Sequence, residues 1–205
     1  MTEIWPVVHA ERAALVEDLQ TVTGRQWSTP SLCPGWDVHD VLAHLVDDAK
    51  TTRLGFLRDL LAAGFDFDRL NAGGVARERA EDPARTVERF REVHSRTTGA
   101  PAPPATRLVE AFVHGEDIRR PLGINHDYPR AHVITALRHQ LDTSGRFGGG
   151  RERARGLHLV ATDTGFSTGV GEDVRGTAIA LLLAVSGRPV TAEELTGPGA
   201  ARLSG

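Results

Sequence analysis

One stretch constrains the fold more than any other: Leu108–Gly123, LVEAFVHGEDIRRPLG. At about 100° per residue, Leu108, Val109, Ala111, Phe112, Val113 and Ile118 cover most of a helix circumference. A helix that is apolar nearly all round must be enclosed by other elements, so the chain has to build a bundle around it. The polar remainder, Glu110, His114 and Asp117, falls within one sector of about 60°. Pro121 and Gly123 stop the helix.

The flanking sequence supplies the enclosing helices. Trp5–Thr23 repeats Val8, Leu15, Val16, Leu19 and Val22 at helical spacing, with Gly24 as its end. Ser28–Trp36 is a loop broken by Pro30, Pro34 and Gly35. Asp37 caps the next helix, whose stripe Val38, Val41, Leu42, Leu45, Val46, Ala49 could run on to Ala63. His44 lies at the edge of that stripe. Phe65–Gly74 reads as a loop, Pro83 opens a helix over Ala84–Thr98, and another runs from Pro129 to Thr143.

The character then changes. Ser144–Gly156 (SGRFGGGRERARG) reads as a linker or mobile loop. Leu157–Asp163 alternates as a strand, and Thr164–Gly171 reads as a turn and a second short strand. Thr177–Val185 is an apolar helix, and Thr191–Leu203 a last short one. The expectation is a mainly α chain: a helical bundle over 1–145 and a small α/β C-terminal domain over 146–205.

Charge and cysteine content narrow the function classes. Lys+Arg 24 against Asp+Glu 27 gives a net charge of −3, which is not a nucleic-acid footprint. The single cysteine, Cys33, excludes an internal disulfide and fits a reducing cytosol. The N-terminus lacks a signal peptide's basic and apolar regions, and no apolar run is long enough to span a bilayer. A cytoplasmic protein without nucleic-acid or membrane partners is expected, as a monomer or homodimer.

Glu110 and His114 stand four residues apart, so they share one helix face about 6 Å apart along the axis. With His44 from another helix they would make a two-histidine, one-carboxylate site. Such a donor set leaves a coordination position open, the catalytic form of a zinc site. Spacing alone leaves other readings open: a solvated polar stripe for Glu110 and His114, and for His44 a boundary histidine bonded to Asp40 or Asp48. Asp117 reads as a surface acid or as an acceptor for a ligand imidazole. Cys33, just before a helix N-terminus, reads as a nucleophile or as a buried structural residue, and Trp36 as a hydrophobic staple or core residue.

Four segments carry a resemblance. TPSLCPGWDVHDVLAHLVDDA, FDFDRLNA, VEAFVHGEDIRRPLG and ATDTGF…G…LLLAVSGRP, in that order, resemble the mycothiol-dependent maleylpyruvate isomerase family of actinobacteria, a branch of the DinB-like four-helix metalloproteins. The resemblance covers most of the chain. It implies a DinB-like four-helix bundle with His44, Glu110 and His114 as metal ligands, zinc as the usual metal, and mycothiol as thiol cofactor or co-substrate. It further implies a metal-activated thiolate that adds to a small electrophile, in an isomerase or an S-transferase. Arg188, with Arg175 as second candidate, would contact a substrate or cofactor carboxylate; a surface Arg188 capping the preceding helix is the alternative. The interval from His44 to Glu110 is short for the family, a change to the pocket walls and not to the ligands. Two other functions stay open: a thiol-independent metalloenzyme of specialised metabolism, and a non-catalytic metal-binding protein on the same fold.

Overall fold

Helix α2 (Val38–Lys50) is the central element of the N-terminal half. It buries Val38, His39, Val41, Leu42, Ala43, Leu45, Val46 and Ala49. The computed structural model describes residues 4–203, and these fall into two compact units. One holds the residues up to Pro103 together with His114–Asn125; the other holds Pro104–Val113 and the residues from His126 on. The architecture is mainly helical with one small sheet, a helical bundle with an α/β part. Among the described residues no helix is long and apolar enough to cross a membrane.

In the first unit, α1 (Trp5–Leu19), α2, α5 (Pro83–Val93) and the second half of α6 (Thr106–Arg119) contribute to one core. Leu15, Leu19, Trp27, Val41, Leu42, Leu45, Phe90 and Ile118 belong to it. Asp37 caps α2: its carboxylate accepts from Asp40 N and also receives the Arg79 guanidinium at 2.7 and 3.0 Å. Burial pushes the Asp37 carboxyl up, but those partners prevail and hold it below the usual carboxylate range.

The structure corrects three boundaries here. α1 ends at Leu19, and Gly24 instead opens a 3-10 turn, Gly24–Ser28. The stripe of α2 does not run to Ala63: Thr51 is extended, and Thr52 starts α3 (Arg53–Ala62) by accepting from Gly55 N. α3 buries none of its side chains, and Leu54, Leu57 and Leu61 lie exposed. Phe65–Gly74 is not a loop, since α4 (Phe67–Glu78) occupies it, capped by Asp66. Gly74 serves close approach: a Cβ there would collide with the Asp47 carboxylate of α2, whereas one on Gly73 would meet nothing within 4 Å.

In the second unit, α7 (Arg130–Asp142) packs on α8 (Ala178–Val185), and Gln140 Nε2 donates to Ser186 Oγ at 2.9 Å. The sheet has the order β2-β1-β3. β1 (Leu157–Ala161) pairs antiparallel with β2 (Ser167–Gly169) and parallel with β3 (Glu172–Gly176), a strand the sequence reading missed. Leu157, Leu159, Ala161 and Val174 face inward, and all of α8 except Ile179 is buried.

The Gly/Arg-rich stretch is held, not loose. Gly149 N, Gly150 N and Arg151 N donate to the Ser144, Gln140 and Thr143 carbonyls at 3.0, 2.9 and 3.1 Å. A Cβ on Gly149 or Gly150 would strike Thr143 or Val185, so these glycines answer to packing. Among the described residues of the tail the helical segment is a 3-10 turn, Ala200–Arg202, and Thr196 forms an isolated bridge with Arg175.

Candidate metal centre

The second half of α6 is anchored within the first unit by buried charge. Asp117, Ile118 and Arg119 are fully buried, and Arg119 Nε donates to Asp18 Oδ2 of α1 at 2.7 Å. This fixes the rotation of α6 at His114. His114 in turn meets His44 of α2, with ring centroids 4.8 Å apart and planes at 74°. Glu110 lies one turn earlier on the same continuous helix, so its place relative to His114 is set by helix geometry.

One ligand atom each from His44, Glu110 and His114 lies within 4.8 Å of the others, and all three residues are half-buried. A tetrahedral ion at about 2.0–2.2 Å from each ligand needs those atoms roughly 3.3–3.5 Å apart. Side-chain adjustment of about 1 Å closes that difference, well within rotamer freedom. Two imidazoles and one carboxylate suit zinc among divalent ions and leave a fourth position open. The donor set therefore fits a divalent cation.

Second contacts orient both imidazoles. Asp117 Oδ2 lies 2.8 Å from His114 Nδ1. An ionised carboxylate only accepts, so this contact suits the tautomer with the proton on Nδ1, which leaves Nε2 the lone pair that a metal needs. His44 packs against the Trp36 indole, with centroids 5.1 Å apart. On the same helix Asp48 pairs with Arg12 at 3.2 Å and Asp40 with Arg79 at 2.8 Å. Cys33 is half-buried beside Trp36, packed against the core, a placement that suits the structural reading.

The two arginines lie in the second unit. Arg175 is on β3, half exposed, 3.6 Å from Asp173 Oδ2. Arg188 follows α8 and its Nη1 donates to the Ser186 carbonyl at 3.2 Å, which is the helix-capping contact. Sequence reasoning missed the buried His39, whose Nε2 lies 2.8 Å from Thr86 Oγ1. Its place, second in α2 directly after Val38, was the available signal. It also missed the His158–Asp173 pair at 2.9 Å, which needs β3 to exist.

Residues 8–105 match the family model described as the mycothiol maleylpyruvate isomerase N-terminal domain. Two solved structures are similar across nearly the whole length: a mycothiol-dependent maleylpyruvate isomerase, and a variant of it with one histidine changed to alanine. Each has a TM-score of 0.61 at 16% identity, covering 96% of this chain and 92% of the other. That likeness establishes a common fold. Among curated proteins no sequence match was found.

Proposed function

The chain belongs to the mycothiol maleylpyruvate isomerase family, and from that premise we propose that it is a metal-dependent enzyme using mycothiol on a small electrophile. The observation that carries this reading is the convergence of His44, Glu110 and His114. A divalent cation held by these three, zinc by the donor set, would lower the pKa of a thiol brought to its open position, making thiolate available at neutral pH.

The chain's own residues supply the setting. Asp117 holds the proton on His114 Nδ1, so that the other ring nitrogen faces the cluster. Arg188, and Arg175 as a second candidate, are proposed to bind a carboxylate of the substrate or the thiol, for which a guanidinium offers a bidentate fork. Isomerisation and S-transfer share addition of the thiolate to an electrophilic carbon and part only at whether the thiol is expelled again. The single cysteine and the free-thiol chemistry agree with a cytoplasmic setting.

The test is turnover of maleylpyruvate and of a panel of small electrophiles by zinc-loaded protein, with and without mycothiol. The expected result is activity that needs both metal and thiol and disappears in His114→Ala. Metal-dependent turnover that ignores the thiol would overturn the mycothiol reading in favour of water activation at the same ligands.

A further inference from the structure

Resting on the metal-site reading above, we propose that Trp36 is a positioning residue for His44, and that Ser31–Trp36 is a strap holding both histidines of the cluster.

Three rings stand in series in the first unit. The Trp36 indole packs on the His44 imidazole at 5.1 Å and 52°, and His44 meets His114 at 4.8 Å and 74°. His114 has a hydrogen-bonding partner that fixes its ring, namely Asp117. The Trp36 indole restrains His44 by contact: an aromatic ring against one side limits the torsions available to the imidazole.

The indole is itself fixed. The Trp36 carbonyl accepts from Ser31 N at 3.0 Å and from Ser31 Oγ at 2.9 Å, and Trp36 N donates to the Cys33 carbonyl at 3.2 Å. Gly35 takes φ +81, which lets the turn close at a position where a side chain would be strained. Trp36 also packs against the core of the unit.

The same loop reaches the other histidine. Leu32 N donates to the Asp117 carbonyl at 3.3 Å, and the Asp117 side chain holds His114. One six-residue turn thus touches the α2 ligand through an indole and the α6 ligand through an aspartate. Groups that orient ligand histidines are worth about 10–100-fold in metal affinity when removed.

The experiment measures Zn2+ affinity by competition with a chromophoric chelator, and the Co2+ absorption spectrum, for wild type and three variants. Trp36→Ala is expected to weaken zinc binding about tenfold and to reduce the intensity of the Co2+ bands. Trp36→Phe, which keeps a ring beside His44, restores most of both. Ser31→Ala loosens the strap without removing core volume and is expected to weaken binding in the same direction, by less than Trp36→Ala; it decides the question if Trp36→Ala does not fold. Folded variants with wild-type affinity and an unchanged Co2+ spectrum overturn the role of the strap while leaving the metal site intact. Wild-type protein that binds neither ion overturns the metal-site reading and this inference with it.

Discussion

The Asp18–Arg119 pair sets α6 against α1, and its removal has a definite expected cost. The Arg119 side chain is 0% exposed and that of Asp18 is 25% exposed. In Asp18→Ala the guanidinium stays charged, because arginine does not deprotonate in proteins. Removing one partner from a buried ion pair costs about 3–5 kcal/mol. A quarter of Asp18 already meets solvent, which screens the interaction and brings the expectation to about 2–3 kcal/mol. For a chain of this size each 1 kcal/mol moves Tm by roughly 2–4 °C, so a fall of about 5–10 °C follows. Urea and thermal unfolding, followed by circular dichroism and by the fluorescence of Trp27 in the same core, measures it. The double variant Asp18→Ala/Arg119→Met removes both charges and is expected to be more stable than Asp18→Ala alone. Stability within about 0.5 kcal/mol of wild type for Asp18→Ala, or a double variant weaker than the single, would refute the reasoning.

Three further outcomes follow from the same structure. Burial, and then the Arg79 guanidinium, push the His39 imidazole below its usual value against the opposing pull of Asp37, Asp40 and Asp82. Thr86 Oγ1 accepts the Ala80 amide at 3.1 Å and has its hydroxyl hydrogen available for His39 Nε2, 2.8 Å away, a partner suited to the neutral ring that burial favours. Below the unfolded value of about 6.5 the unfolded chain then binds more protons, so this stability is full above that pH and is lost as pH falls through the folded value. Urea midpoints between pH 7.5 and 5 should fall more steeply for wild type than for His39→Gln; parallel profiles would contradict the assignment. Gly74→Ala drives a methyl into the Asp47 carboxylate, which also holds Arg77 at 2.8 Å; a loss of about 1–3 kcal/mol is expected in denaturant titration. Phe90→Ala, at a fully buried position of the core, should lose about 3–5 kcal/mol by the same measurement.

The helices with long apolar stripes were legible because periodicity alone specifies them. α6, α7 and α8 lie within a few residues of where their patterns put them, and α5 opens at Pro83 as expected but ends at Val93, not Thr98. The break between α2 and α3 was harder, since the apolar residues continue past Lys50 while their side chains turn outward. Only Thr52 as a cap marked it. α4 was hidden by Gly73 and Gly74, which read as loop residues until the approach of Asp47 gives Gly74 a packing reason. The same error made a linker of Ser144–Gly156, where the glycines accommodate Thr143 and Val185. Strand β3 (EDVRG) has too few apolar residues to alternate visibly, and parallel pairing with β1 makes it.

At the site, His44, Glu110 and His114 were readable from helical spacing joined to a family resemblance, and the structure brings the three together. Asp117 was readable as one of two options, and its burial beside His114 decides for the acceptor. The contact of Trp36 with His44 was not readable, because it depends on how the Gly35 turn aims the indole.

The most direct measurement is the metal content of purified protein under metal-replete conditions, beside His44→Ala and Glu110→Ala. The account predicts about one divalent ion per chain in wild type and none in either variant, with all three folded. Folded wild type without metal, or metal retained in both variants, would contradict it.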